Sequence, residues 1–148
     1  MFTHEISRSL DITATPDQVW DVLADLTAYG GWNPFIREAS GTLETGQRLA
    51  VTISPAAGKA MSFRPRVLVA EPGRELRWLG RVLVPGLLDG EHSFTLEPVA
   101  GGTRLTQAER FSGALVPLVG RALDVGDDFA AMNDALRVRA EAAASITR

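Results

Sequence analysis

Between Phe35 and Phe111 the chain offers strand and turn without any helix-length stretch. From about 117 to 146 the pattern then changes to apolar residues at three- and four-residue steps. That order constrains the fold more than any other feature. Candidate strands cover about 35–43, 47–54, 61–71, 74–83, 88–97 and 103–112. Glu44-Thr45-Gly46, Ala57-Gly58, Pro72-Gly73, Pro85-Gly86 and Gly101-Gly102 punctuate them, and these residue types supply turn conformations. Connections this short join antiparallel neighbours, so a meander is expected. Ahead of it, Ile6, Leu10 and Ile12 share a parity over residues 3–12 and mark one more half-buried strand. A sheet with one apolar face has to cover it, and the C-terminal helix is the element long enough to do so.

Thr15-Pro16-Asp17-Gln18 starts a short helix: Thr15 caps, Pro16 suits the first helical position, and Gln18 completes a capping box. Val19, Trp20, Leu23 and Leu26 form its apolar stripe, and Gly30-Gly31 ends it. Trp20 reads as core. Trp32 and Phe35 read as the packing of this helix onto the sheet, with Tyr29 and Asn33 away from any cavity rim. In the C-terminal stretch, Leu118, Leu123, Phe129, Met132, Leu136, Ala140 and Ala143 carry the period. Gly120 and Gly126 each cost about 1 kcal/mol relative to Ala there, marking either a bend or a later start near 125. The expected fold class is α+β: a curved seven-stranded antiparallel sheet around a long C-terminal helix, with short N-terminal helices. No linker or repeat divides residues 1–148, which read as a single domain. A curled sheet and a straight helix do not match in shape, and a small-molecule pocket forms in such a gap.

Composition narrows the chemistry. The absence of Cys removes disulfides, thiolate metal sites and Cys nucleophiles. A net charge of −3 argues against nucleic acid as a partner. His4 and His92 are the only histidines and lack metal-ligand spacing, so neither a metal nor a cofactor is expected. There is no phosphate loop, no G-x-G-x-x-G and no G-x-S-x-G elbow. No window reaches the roughly 18 uninterrupted apolar residues of a spanning helix, and Met1-Phe2-Thr3-His4-Glu5 has no basic-then-apolar signal pattern. A cytoplasmic protein without stable membrane insertion is expected, its oligomeric state left open.

Parity sorts the strands into faces. Met61, Phe63, Pro65, Val67 and Val69 share one, as do Leu76, Trp78 and Gly80, and His92, Phe94 and Leu96. In the last strand Leu105, Gln107, Glu109 and Phe111 lie together. Charge chooses the register of the last two strands. Setting Glu97 against Arg104, Glu91 against Arg110 and Thr95 against Thr106 makes three favourable pairs of about 0.2–1 kcal/mol each. The competing register centres the turn on Gly101-Gly102 and loses all three. The favoured one places His92 opposite Glu109, Phe94 opposite Gln107 and Leu96 opposite Leu105. A titratable pair on an apolar face has two readings, both open at this point. It is a polar anchor or acid/base pair for a ligand, or an internally satisfied pair that fixes register. The outward arginines 64, 66, 77, 81, 104 and 110 read as an ion-paired solvated face.

The run from Ile12 to Leu26 (ITATPDQVWDVLADL), followed by Tyr29 and Trp32-Asn33-Pro34-Phe35, resembles the opening of the START-related lipid-transfer superfamily. More narrowly it resembles the SRPBCC group of polyketide cyclases, dehydrases and lipid transporters. Glu75-Leu76-Arg77-Trp78, Asp89-Gly90-Glu91-His92-Ser93-Phe94 and Thr103-Arg104-Leu105 with Glu109-Arg110-Phe111-Ser112-Gly113 agree with it. The resemblance spans essentially the whole chain. It implies a helix-grip fold with a hydrophobic cavity under the long helix, in members that range from lipid and sterol carriers to aromatic polyketide cyclases. Fold does not choose among these. The residues expected to line the cavity are Phe63, Trp78, His92, Phe94, Gln107, Glu109, Phe111, Phe129, Met132 and Leu136, although packed core explains each apolar one equally. The expected partner is a hydrophobic small molecule: lipid, sterol, quinone or aromatic polyketide. The alternatives are a cyclase or dehydratase using His92 and Glu109 as acid and base, and a protein-interaction module.

Overall fold

The computed structural model describes residues 2–82 and 84–146. Its elements run β1 (Thr3–Ile12), α1 (Pro16–Ala24), a 3-10 turn (Leu26–Gly31), β2 (Ile36–Ser40), β3 (Ala50–Ile53), β4 (Met61–Phe63), β5 (Arg66–Glu71), β6 (Glu75–Val82), β7 (Leu88–Val99) and β8 (Gly102–Ser112). Then come α2 (Val116–Val119), a second 3-10 turn (Gly120–Leu123) and α3 (Gly126–Ile146). The strand end expected at 83 lies outside the described residues.

The strands form two antiparallel sheets, β1-β8-β7-β6-β5 and β2-β3-β4, where one sheet of seven was expected. Pro65 accounts for the division. It has no N–H to give to a ladder, and the strand expected over 61–71 splits there into β4 and β5. The sheets stay tied across the break: Leu49 N–H donates to the Pro65 carbonyl at 2.9 Å, and Val67 N–H to that of Gln47 at 2.8 Å. A second departure follows within β5. Val67 pairs with Trp78 but Val69 pairs with Arg77, an extra residue lying between them. Such a bulge reverses parity, so Ala70, and not Val69, packs on the core.

β7 and β8 pair in the register favoured on charge grounds, with His92 opposite Glu109 and Phe94 opposite Gln107. The turn falls on Ala100-Gly101, with Gly101 at φ 84°. Gly102 is required because a Cβ there would collide with the Ile12 carbonyl. The ion pairs, however, reach the other neighbouring strand. Arg104 pairs with Asp11 at 2.9 Å, Arg110 with Glu5 at 3.6 Å, and Arg77 bridges Glu75 and Glu91. The hydrogen bond from Arg104 holds the Asp11 carboxyl below its ordinary range.

α3 lies across β1 and β8 and against α1. Phe129, Met132, Asn133, Leu136, Ala140 and Ala144 are its buried residues, Ala144 continuing the stripe where Ala143 was expected. The helix begins at Gly126, the later of the two starts the sequence allowed. No described helix is long and apolar enough to cross a membrane. α1 carries the capping box on Thr15 and Gln18. Past its end, fully buried Tyr29 donates its hydroxyl to the Leu23 carbonyl, one of the acceptors a helix end leaves free. Asn33 is equally buried, and its Oδ1 accepts from the N–H groups of Phe35 and Ile36 at 2.9 Å.

Burial, with a smaller contribution from Asp25, pushes the Tyr29 hydroxyl well above its ordinary range. A raised folded-state value means that its contribution is complete below the unfolded value near 10 and is lost as pH rises beyond it. Tyr29→Phe is expected to cost about 1 kcal/mol at pH 7, where it leaves the Leu23 carbonyl unpaired. The gap to wild type should close above pH 10, because only the wild type then gains from ionising a phenol on unfolding. Urea unfolding at both pH values measures it.

Candidate functional site

A cavity of about 520 Å³ lies between the inner face of the sheets and the start of α3, within the size range typical of ligand pockets. Two glycines lie on its wall. Gly80 of β6 and Gly90 of β7 pair directly across the sheet, and both line the cavity. A Cβ on Gly80 would sit 3.3 Å from the Phe63 ring, and one on Gly90 would sit 3.1 Å from Glu109 Oε1. Neither has the positive φ that would demand glycine for its backbone.

Of the residues expected to line it, Phe63, Trp78, His92, Glu109, Phe111 and Phe129 are on the wall. Phe94, Gln107, Met132 and Leu136 are fully buried but lie in the packed interior off the wall. They sit deeper along the strands and helix, where the sheet closes onto α3. The wall also includes Phe35, Ile53, Leu88, Leu123 and Val125, which the sequence reading did not assign to it. Phe35 had a signal, the Pro turn before it, but its inward direction depends on the Asn33 hydrogen bonds. Leu123 was expected in the helical stripe, but it ends the 3-10 turn ahead of α3, and Val125 follows it in the connection. At the mouth, the β3–β4 loop is held to α3 by a 2.9 Å hydrogen bond from Ala56 N–H to Asp128 Oδ1.

His92 sits inside an aromatic cluster, its ring 5.1 Å from Trp78, 4.8 Å from Phe94 and 5.0 Å from Phe129. Its two nitrogens have different partners. Nδ1 lies 3.0 Å from Glu109 Oε2, and Nε2 lies 2.9 Å from Gln107 Oε1. The direction of the second bond can be assigned. The Arg8 carbonyl can only accept, so Asn133 must present Nδ2 to it, at 3.0 Å. Asn133 Oδ1 therefore accepts from Gln107 Nε2 at 2.8 Å, which leaves Gln107 Oε1 facing His92. His92 Nε2 must then carry a hydrogen. Gln107 and Asn133, both almost completely buried, thus set the imidazole's orientation and tautomer from behind.

Glu109 is held differently. Although Nδ1 is close, it is poorly directed, and Glu109 Oε2 is buried with no hydrogen bond from any described residue. The wall therefore carries a carboxylate whose acceptor capacity is largely unused. The pair can orient a polar ligand group or move a proton, Nδ1 and the carboxylate being the sites at which a proton is gained or lost. Among the described residues no group of three or more His, Asp or Glu is placed to hold a metal ion.

A family model described as polyketide cyclase/dehydrase and lipid transport matches residues 3–141. A search of curated proteins finds no match. Among solved structures, the Zhui aromatase/cyclase from Streptomyces sp. R1128 is similar with a TM-score of 0.70 at 18% identity, covering 95% of this chain and 94% of that one. The protein TTHA0849 from Thermus thermophilus gives 0.74 at 16% identity, covering 95% and 99%. The di-domain ARO/CYC StfQ from the steffimycin biosynthetic pathway gives 0.76 at 13% identity, covering 97% of this chain and 52% of its own. Likeness at these identities establishes a shared fold.

Two outcomes check the site's geometry. With only two histidines, ¹⁵N spectra of the ring nitrogens can be assigned, and at a pH where His92 is neutral its proton is expected on Nε2. Asn133→Leu frees the Gln107 amide to turn over and should move that proton toward Nδ1. Gly80→Val is expected to fill one end of the cavity, lowering the fluorescence enhancement of the neutral dye Nile red. Its melting temperature should fall, since a Cβ there already sits 3.3 Å from the Phe63 ring and the valine methyls force that ring aside.

Proposed function

The chain belongs to the polyketide cyclase/dehydrase and lipid transport family, and on that footing we propose that it binds a hydrophobic small molecule in the cavity between the sheet and α3. Lipids, sterols, quinones and aromatic polyketides are the candidate classes. The observation that carries this reading is the cavity itself, walled by Phe35, Phe63, Trp78, Phe111 and Phe129 with buried His92 and half-buried Glu109 as its polar spot. A few placed polar groups in an apolar pocket are what orient a ligand whose affinity comes from apolar contact. The wall residues bind the ligand's body, and His92 with Glu109 anchors its polar group. The interaction-module alternative depended on a filled interior, which the cavity counts against.

A second reading is favoured by one feature. His92 and Glu109 adjoin each other on the wall at 3.0 Å, and the neighbours described as aromatase/cyclases have the same fold. In this reading the pair acts as acid and base on a bound polyketide, which requires a substrate atom within about 2.6–3.2 Å of either group or one water away.

Native mass spectrometry and thermal unfolding with members of each class test the first reading. A true ligand at a hundredfold its Kd should stabilise the protein by about 2.7 kcal/mol. Failure of every class to bind or stabilise would end it. For the second, His92→Phe and Glu109→Gln should each reduce turnover of a polyketide substrate by about 10²-fold or more. Unchanged turnover in both leaves binding without catalysis.

A further inference from the structure

We infer that the cavity selects its occupant by a hydrogen-bond donor presented to Glu109, taking hydroxylated neutral molecules and disfavouring the same skeleton capped by an ether or a carboxylate. This rests on the reading of the cavity as a ligand site and adds the polar chemistry of the ligand to it.

The selectivity follows from which groups on the wall can still form a hydrogen bond. His92 Nε2 is committed to Gln107 by the chain of bonds that ends on the Arg8 carbonyl. His92 Nδ1 is covered by Glu109 Oε2 at 3.0 Å without a hydrogen bond between them. Ser62 Oγ is engaged with Thr52 Oγ1 at 2.8 Å. Arg81, a half-exposed guanidinium at the wall, is ion-paired with Asp89 across the strand pair at 3.6 Å, without a hydrogen bond between them. Among the buried polar groups of the wall, what remains is acceptor capacity on Glu109, to which no described residue donates a hydrogen bond; Oε2 is covered, and Oε1, beside Gly90, is the oxygen left to a ligand. An acceptor left without a donor is costly, and native structures seldom leave one so. A ligand hydroxyl supplies the donor. An ether oxygen brings a second lone pair to the carboxylate, and a ligand carboxylate brings a second negative charge into a wall that is already apolar. Hydrogen bonds to a charged acceptor are the stronger kind, so the discrimination should be large.

Gly90 supports the same assignment. A Cβ there would press on Glu109 Oε1 and on the Phe111 ring. Its absence leaves the carboxylate its present position beside open cavity.

Three compounds on one flat skeleton read the effect: 2-hydroxyanthracene, 2-methoxyanthracene and anthracene-2-carboxylate. Fluorescence titration of the wild type should give 2-hydroxyanthracene an affinity at least about tenfold above either of the others. Glu109→Leu should abolish the preference, weakening the hydroxylated compound and relieving the repulsion on the other two, and Glu109→Gln, which keeps an acceptor oxygen, should retain part of it. Equal affinity for all three in the wild type overturns donor selection while leaving the cavity as a binding site intact. Binding of none of them overturns donor selection, and the cavity reading then rests on the panel of ligand classes above. The wild-type comparison decides the matter even if a variant does not fold.

Discussion

Sliding β8 by two residues along β7 would keep every side chain on its own face. It would nonetheless set His92 against Phe111 and Glu109 against Phe94, and the polar site would be gone. The hydrophobic pattern alone does not prevent such a slip, because a shift of two preserves inside and outside. What holds the register is a set of directed interactions. On the inner face they are the contacts of His92 with Glu109 and Gln107. On the outer face the ion pairs of Arg104 and Arg110 tie β8 to β1, and that of Glu91 with Arg77 ties β7 to β6, so they fix the registers on either side. At the turn, Gly102 admits the backbone of Ile12 where no side chain would fit. The anchor-or-register question thus has both answers at once: the same bonds that align the strands also build the wall of the cavity.

The inner polar network runs from the sheet into α3 and back to β1. Glu109, His92 and Gln107 belong to β7 and β8, Asn133 to α3, and the final carbonyl to Arg8 of β1. A buried network of this kind is stabilising only while each member is satisfied. Gln107 and Asn133 meet that condition, and they orient the helix over the sheet as well as the imidazole. Glu109 at the open end does not meet it. The network is therefore rigid where it is closed and receptive where it reaches the cavity.

The order of elements, the capping box on Thr15 and the inward face of β6 to β8 were legible because each depends on local period or local chemistry. The β7–β8 register was legible because charges mark both strands, even though Arg104 and Arg110 took their partners from β1. Other features were not accessible in this way. The bulge between Val67 and Val69 adds one residue without any Gly or Pro to announce it, so parity misplaced Val69. The break at Pro65 had its signal in the sequence, but the run of alternating residues on either side concealed it. Phe94, Gln107, Met132 and Leu136 were correctly placed inward. How far along the sheet the cavity extends before α3 closes on it depends on curvature, which parity does not encode. Asn133 had no assigned facing until the packing of α3 was known.

Gly80 and Gly90 give the cavity an unusual mutational economy. Pocket size is commonly spread over many side chains, so that changing it disturbs several packing arrangements together. Here two facing positions, neither needed for backbone conformation, line the space without a side chain. Single-base changes in a glycine codon reach alanine and valine. A lineage can therefore shorten or narrow the cavity in steps of one or a few methyl groups without rebuilding the strands around it. The two positions differ in reach: a side chain on Gly80 meets the Phe63 ring, whereas one on Gly90 also presses on Glu109. Ligand size can thus change at Gly80 apart from the polar spot, and at Gly90 only together with it.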